Sequence, residues 1–271
     1  MPADTVLSTA ALVALLPALL AAWKGDAAQP AVRFWLLLAV AVAGPVVWTV
    51  AAASAVADWR TDLSFALWVS VSSSITLFAA AAVFDRDVAR LSPLFLAMMV
   101  FLAVLAALSR GATNAAPMTM APGDGGWLWF HIGVSIATYA LLTVAAAASL
   151  AALLQERALK RKTPLKRPAG LPSVLDCEGV VVRFLWLSAA VLALGMATGT
   201  AVNLTHDAPV LHLDHKTIFA IAAFVVICAL LYAHQRTGAR GRQVARLVLL
   251  AYLFVTLAYP GVKFVTSVLL A

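Results

Sequence analysis

The feature that most constrains this chain is a series of long apolar blocks that carry no charged side chains. Each block holds roughly 17 to 25 residues, which is the length that an α-helix needs to cross the hydrocarbon of a bilayer. Lipid offers no hydrogen-bond partner, so a spanning block must satisfy its backbone groups within itself, as a helix. Composition agrees, because 63% of the residues are hydrophobic and only 11% are charged. The sequence therefore predicts an all-α, polytopic integral membrane protein.

We predict about eight transmembrane helices that form a single transmembrane domain over residues 1–271. The connections between the blocks are mostly short, which leaves no room for a soluble domain. The predicted spans are Leu7 to Trp23, Phe34 to Ala53, Leu63 to Phe84, Leu91 to Ser109, Trp127 to Leu154, Val181 to Ala201, His215 to His234 and Val244 to Leu270.

The orientation follows from the distribution of the 19 lysine and arginine residues. All but four lie in or beside the connections after the first, third, fifth and seventh spans; the four are Arg60, Arg110, Lys216 and Lys263. The positive-inside rule places the basic connections in the cytoplasm and both termini outside. We therefore expect a multi-pass membrane protein. The net charge of +7 then reflects topology and contact with membrane lipid, and no nucleic acid partner is expected.

The fifth block, WLWFHIGVSIATYALL, begins with a histidine beneath two tryptophans. Ser135, Thr138 and Tyr139 follow His131 at helical spacing, so they share its face. His131 is predicted to lie near the outer interface, where tryptophan is also common. It is either an interfacial histidine among such aromatic residues or a functional group, since ionisable residues within spans are costly and tend to be functional.

A second histidine, His215, opens the seventh span on the same predicted outer side, between Asp214 and Lys216. Asp214 is a candidate cap for the start of that helix. Imidazole is a common axial ligand of haem iron, so His131 and His215 together could hold a porphyrin; alternatively, a histidine at a helix start is simply solvated. His206 and His212 fit no regular zinc pattern.

Span six contains Gly195 and Gly199, four residues apart on one face. This G-x-x-x-G pattern allows close approach of another helix, and the same small-residue face could admit a flat macrocycle. If haem is present, Arg60, Arg110 and Lys216 are the candidate partners of its propionates, because a buried carboxylate must be paired. In span three, Ser70, Ser73 and Ser74 are expected to bond across helices.

No catalytic signature accompanies these residues, so an accessory role is predicted and not an enzyme. The chain contains no G-x-S-x-G, H-E-x-x-H or phosphate-binding loop. Mid-span charges are missing, which argues against an ion-coupled transporter. Cys177 and Cys228 are far apart and form no C-x-x-C-H haem-attachment motif.

Several stretches between Trp127 and Val265 resemble the cytochrome c assembly protein family of CcsA and CcmC, and most closely its YpjD/HemX-like branch. They are WLWFHIGVSIATYALL, RFLWLSAAVLALGMATGTAVN, LHLDHKTIFAIAAFVVICALLYAHQRTGARGR and AYPGVKFV. The resemblance implies that His131 is an outer-face haem ligand and Tyr139 the family's tyrosine. Asp214 and Lys216 match the family's Trp-Asp-Pro-Lys-Glu motif, with His215 at the proline position.

Two departures from the family pattern matter for the ligand set. The segment HDAPVLHLDHKT lacks the family's tryptophans, and no external histidine follows the last Gly-Val element. His215 would then be the substitute second ligand of the iron, and Tyr139 would support His131 from below.

The resemblance implies a multi-pass protein of the bacterial inner membrane that holds non-covalent, b-type haem near the outer face. It would hold this haem for another membrane protein of a cytochrome c or haem pathway. A second hypothesis is a haem-free regulatory or scaffolding subunit that keeps the fold and binds a partner membrane protein. A permease for a small solute is the least favoured alternative.

Overall fold

The computed structural model describes residues 2–25, 31–54, 62–109, 125–162, 170–205, 215–238 and 241–258. Over these ranges the chain forms helices and no strands. In chain order the helices are α1 (Pro2–Trp23), α2 (Val32–Ser54), α3 (Leu63–Phe84), α4 (Arg86–Arg90), α5 (Ser92–Leu108), α6 (Gly125–Lys160), α7 (Val174–Thr205), α8 (His215–Thr237) and α9 (Arg242–Thr256).

The predicted all-α, polytopic membrane fold is confirmed, but the count of eight spans is not. Within the described ranges, α1, α2, α3, α6, α7 and α8 are long and apolar enough to cross a membrane, and α5 is a shorter apolar helix. The predicted eighth span begins as α9, and its continuation to Leu270 lies outside the described residues. The positions of both chain ends relative to the membrane stay predictions.

Helix α6 occupies the centre of the bundle. Residues 138–149 are buried without a break, and α6 contacts α3, α5, α7 and α9. Alanine supplies much of this stretch, including Ala145, Ala146, Ala147 and Ala148. Small side chains let neighbouring helices approach closely, which favours packing between helices in lipid. A helix made of such residues can therefore be surrounded on all sides.

Helix α7 begins earlier than hydropathy predicts, at Val174 instead of Val181. The side chains of Ser173 and Asp176 explain this start, because each accepts a hydrogen bond from the backbone N–H of the other. This reciprocal pattern is a capping box, which satisfies otherwise unpaired donors at a helix start. The predicted boundary was wrong because hydropathy marks the part of a helix that contacts lipid and misses its polar extension.

Polar contacts join the connections at one end of the bundle. The carboxylate of Asp85 pairs with the guanidinium of Arg183 at 2.7 Å. The Arg90 guanidinium donates to the carbonyl oxygens of Gly170 and Leu171, at 3.0 and 3.2 Å. These contacts hold the α3–α4 junction against α7 and hold the end of α4 against the segment that precedes α7.

The same end contains the start of α9. The Glu178 carboxylate accepts a hydrogen bond of 2.7 Å from the Gly241 N–H, and Gln155 near the end of α6 donates to the Leu171 carbonyl. We call this the basic end. The connections after the third, fifth and seventh spans therefore lie together, as an alternating topology requires. The side of the membrane that the basic end faces stays a prediction.

Asp87, in α4 at the basic end, has a raised pKa. Partial burial is the main cause, and the nearby carboxylates of Asp176 and Asp85 add to it, although Arg90 and Arg183 oppose the rise. The folded protein therefore holds a proton on Asp87 more tightly than the unfolded chain does.

The hydrogen-bond partners of the α3 serines differ from those predicted. Ser70 and Ser73 donate to carbonyls of α3 itself, so the prediction that they bond across helices was wrong. The contacts between helices come instead from Ser64, which donates to a carbonyl of α5 at 2.7 Å, and from Ser72, whose hydroxyl lies 2.7 Å from that of Thr49 in α2. A serine hydroxyl within a helix often bonds a carbonyl one turn earlier.

The α1–α2 contact gives a first prediction, at Gly44. A Cβ there would lie 2.7 Å from the Cβ of Ala14 and 3.3 Å from the Cα of Ala11. We expect Gly44→Val to destabilise the detergent-solubilised protein by about 1–3 kcal/mol, the usual cost of overpacking. Thermal unfolding measures the loss. Gly179→Val is the matched control, because nothing lies within 4 Å of a Cβ at that helical position. Equal losses for both variants would contradict the prediction.

Candidate functional site

His131 lies in the second turn of α6, half-buried against the last turns of α7. Its Nδ1 is 3.1 Å from the hydroxyl oxygen of Thr198, which is buried. The imidazole also lies directly over Gly199, where an added Cβ would come within 3.0 Å of Cε1. Two neighbouring residues of α7 therefore fix both the position and the orientation of the ring.

The hydrogen bonds around Thr198 indicate which imidazole nitrogen carries the proton. The Thr198 hydroxyl donates to the Gly195 carbonyl at 3.0 Å. A hydroxyl has one proton to donate, so Thr198 accepts from His131, and Nδ1 is the protonated nitrogen. This assignment follows from the hydrogen-bond network. It leaves Nε2 with the lone pair that a metal ion needs.

The predicted close approach at the G-x-x-x-G face is confirmed. A Cβ at Gly195 would lie 3.4 Å from Val134 Cγ1, and Gly199 meets His131. The idea that this face admits a flat macrocycle was wrong, since His131 and Val134 of α6 already occupy it. The glycines instead bring α7 close enough for Thr198 to reach the histidine.

Aromatic side chains surround the start of α6. Trp127, Trp129 and Phe130 are 56%, 46% and 49% exposed, and the rings of Trp127 and Phe130 meet edge to face with centroids 6.4 Å apart. We call these three residues the aromatic rim. Tryptophan at a membrane–water interface is common, which agrees with the predicted depth of His131.

The polar side chains below His131 bond mainly within α6. Ser135 donates to the His131 carbonyl at 2.8 Å, and Thr138 donates to the Val134 carbonyl at 2.9 Å. Ser135 is exposed, whereas Thr138 is buried. The predicted strip exists along the helix, but these two hydroxyls satisfy the backbone and do not reach the imidazole.

Tyr139 lies two turns below His131 and makes its hydrogen bond to another helix. Its hydroxyl oxygen is 3.0 Å from that of Tyr252 in α9, and the ring centroids are 5.6 Å apart. Thr143 and Thr256 donate to the carbonyls of Tyr139 and Tyr252 respectively. The sequence did not predict Tyr252 as the partner of Tyr139, because a single tyrosine in an apolar block does not indicate which residue its hydroxyl contacts. The role of Tyr139 near a ligand stays a prediction.

Helix α8 begins at the same end of the bundle as α6. His234, near the end of α8, lies with Glu178 at the basic end, so His215 at the start of α8 lies at the opposite end. We call this the histidine end. Helix α7 contacts both α6 and α8.

The side chains of His215 and Lys216 lie outside the described part of the structure, together with residues Asp214, His206, His212, Arg60 and Arg110. The ligand and propionate-pairing roles predicted for these residues stay predictions. Among the side chains that the structure does describe, no group of three or more histidine, cysteine, aspartate or glutamate residues could hold a metal ion.

Comparison with known proteins identifies related sequences. Residues 59–270 match the model of the family described as "Cytochrome C assembly protein". An uncharacterised 28.8 kDa protein of Azospirillum brasilense is 47% identical over the full length of both chains. The inner membrane protein YpjD of Escherichia coli K12 is 28% identical over 139 residues, about half of each chain. No solved structure matches.

The network around His131 predicts its tautomer. In protein labelled with ¹³C,¹⁵N-histidine, we expect the His131 resonances to report a proton on Nδ1. Thr198→Val removes the acceptor and should reduce that tautomer population, with a stability loss of about 1 kcal/mol. Thr200→Val is the control, since its hydroxyl bonds α7 carbonyls. A wild-type proton on Nε2, or the same tautomer in Thr198→Val, would contradict the network.

The two tyrosines give a second prediction for this region. Tyr139→Phe and Tyr252→Phe each remove one hydroxyl of the pair, and a double-mutant cycle isolates their interaction. We expect a coupling of about 0.6 kcal/mol, the average for hydrogen bonds between membrane helices, measured by unfolding in mixed micelles. Additive effects of the two substitutions would show that the hydroxyl contact contributes nothing.

Proposed function

Because the chain belongs to the cytochrome c assembly protein family, we propose that it is an inner-membrane haem-handling protein that holds haem near the outer face. Family membership supports haem handling in general, and the relationship to a protein named as an inner membrane protein supports the location. The residues at the histidine end carry the more specific proposal.

The single observation that carries the proposal is the hydrogen bond between His131 Nδ1 and Thr198. Haem-ligating histidines need a fixed ring and a free nitrogen, and a hydrogen bond to the second nitrogen supplies both. Thr198 does this for His131, and Gly199 leaves the space for the ring. Bound haem would supply a redox-active iron, which His131 would ligate through Nε2.

His215 is proposed as the second axial ligand. It opens α8 at the histidine end, and α7 contacts both α8 and α6. We propose that Lys216 pairs with a haem propionate and that Asp214 caps the start of α8, so that the ligand histidine stands on an ordered helix end. The motif around these residues in the sequence supports their roles.

Tyr139 is proposed to support the site from below. Its hydroxyl is held by Tyr252, so the ring is fixed between α6 and α9 and can provide a rigid apolar surface. Exposed rings of the aromatic rim offer further apolar surface close to His131. The haem is proposed to be b-type, since Cys177 and Cys228 form no attachment motif.

The proposed outer location of His131 and His215 rests on the charges at the other end. Arg157, Lys160, Arg161 and Lys162 follow one another at the end of α6, and the basic end also holds the start of α9 with Arg242. Cytoplasmic connections carry an excess of such residues, so the histidine end would face outward. Non-covalent holding at that face fits an accessory protein that passes haem to a partner membrane protein.

The alternative is a haem-free regulatory or scaffolding subunit that binds another membrane protein. A specific observation favours it: the segment HDAPVLHLDHKT lacks the tryptophans of the family pattern. The two functions make opposite predictions for a chromophore and for a stoichiometric partner.

An absorption spectrum of the purified protein, with a pyridine haemochromogen assay, tests the proposal. We expect a Soret band and reduced α and β bands. His131→Ala should lower the haem content at least about tenfold, because altering even a supporting group of a metal ligand costs about 10–100-fold in affinity. His234→Ala, at the opposite end, is the control and should retain haem.

A protein that stays colourless after haem is added, with one co-purifying membrane partner, would support the scaffolding alternative. Full haem content in His131→Ala would contradict the assignment of His131 while leaving haem handling open to another ligand.

A further inference from the structure

A cleft at the basic end lies far from His131 and takes no part in the proposed haem site. It opens where α6, α7, α8 and α9 meet, and its lining includes Ser149, Glu178, His234 and Gly241, with Val181 and Val244 as apolar walls. Polar groups of three helices thus converge on a space that is apolar at its sides.

Ser149 indicates that the cleft is built for a polar ligand. The residue is fully buried, and its hydroxyl has no hydrogen-bond partner among the described residues. Two buried hydroxyls on the neighbouring helix surfaces have partners, because Thr143 on the same helix and Ser188 on α7 each donate to a carbonyl one turn earlier. Ser74 of α3 also lacks a partner among the described residues, but it does not line the cleft. A buried polar group without a partner is costly, and a bound ligand would remove that cost.

Glu178 supplies a negative charge to the same cleft. One carboxylate oxygen accepts from the Gly241 N–H at 2.7 Å, and the second oxygen makes no hydrogen bond within the described chain that would commit it elsewhere. Gly241 has a φ of +77°, and a Cβ there would meet nothing within 4 Å. The cleft therefore stays open beside the carboxylate, and glycine is the residue that this backbone conformation favours.

Two positively charged side chains lie at the surface beside the cleft. Arg242 follows Gly241 directly, and Arg246 lies one turn later on α9; both are exposed. Acceptor groups lie inside the cleft, cations lie beside it, and valines line its walls. A zwitterionic lipid matches this arrangement. Its positive group would lie among the acceptors, its negative group would lie beside the arginines, and its hydrocarbon chain would follow the valines.

We propose that the cleft binds an aminophospholipid of the ethanolamine type. Its primary ammonium is held by the Glu178 carboxylate and the Ser149 hydroxyl, which accept two of the three N–H donors of an ammonium group. Its phosphate pairs with Arg242 and Arg246, and its acyl chains leave along Val181 and Val244. The lipid would hold α9 against α6 and α7 at the membrane surface.

Headgroup chemistry separates this lipid from its relatives. A trimethylated choline headgroup has no N–H to donate, and a glycerol headgroup has no positive charge for Glu178. Free ethanolamine has the ammonium but lacks the phosphate and acyl chains. Of these four molecules, the ethanolamine phospholipid is the one that satisfies the acceptors, the arginines and the apolar walls together.

The test uses the full-length, delipidated protein in detergent and follows its melting temperature during titration with lipids. Phosphatidylethanolamine should raise the melting temperature, because a ligand that binds the folded state stabilises it. Phosphatidylcholine, phosphatidylglycerol and free ethanolamine should raise it much less. An equal effect of phosphatidylcholine, or an equal effect of free ethanolamine, would overturn the proposal.

Glu178→Gln keeps the size of the side chain and removes its charge, so the apparent affinity for phosphatidylethanolamine should fall about tenfold or more, as for loss of a charged hydrogen bond. The matched control is Asp87→Asn, a carboxylate of α4 at the same end whose charged neighbours are Asp85, Asp176, Arg90 and Arg183. Unchanged affinity in Glu178→Gln, or an equal loss in Asp87→Asn, would overturn the role of Glu178.

Ser149→Ala is a second variant that tests the proposal if Glu178→Gln fails to fold. Removal of an unpaired buried hydroxyl leaves the lipid-free protein as stable as the wild type or more so, while the stabilisation by phosphatidylethanolamine should shrink. Ser188→Ala, whose hydroxyl already has a carbonyl partner, should respond to the lipid as the wild type does. Full lipid stabilisation in Ser149→Ala would show that the lipid binds elsewhere.

Discussion

Close packing around α6 is the constraint on which the rest of the structure depends. Lipid is as apolar as the helix surfaces, so the hydrophobic effect does not drive spans together, and small residues that permit close contact must do so. The unbroken buried stretch 138–149 meets this need and lets α3, α5, α7 and α9 all reach one helix. Both ends of the molecule are then arranged relative to α6.

The two ends of the α6–α7 pair have different chemistry. At the basic end, charged and amide side chains tie the connections together, as in the contacts of Asp85 with Arg183 and of Glu178 with Gly241. At the histidine end, a single imidazole is oriented by Thr198 beside exposed aromatic rings. The first arrangement fixes helix ends in place, whereas the second leaves one nitrogen available to a ligand. Between them, the Tyr139–Tyr252 contact joins α9 to the same central helix.

The sequence predicted the parts of this structure that depend on local composition. Hydropathy located the spans because lipid contact requires apolar residues in a row, and the close approach at Gly195 and Gly199 followed from their spacing. The partners Thr198 and Tyr252 were not predicted, because a hydroxyl in an apolar helix can bond its own backbone or a distant residue, and the pattern does not distinguish the two. The prediction that Ser70 and Ser73 bond across helices was wrong for the same reason. The early start of α7 was missed because a polar capping box carries no hydropathy signal.

Gly199 makes the position of the histidine depend on a single missing methyl group. A Cβ at residue 199 would lie 3.0 Å from Cε1 of the imidazole. The spacing between α6 and α7 and the position of the potential ligand therefore depend on each other. Among relatives of this protein, the residue aligned with 199 can thus serve as a diagnostic character. A chain with alanine there must shift its imidazole by a few tenths of an ångström, and a larger side chain requires a larger shift, however well the rest of the helix is retained.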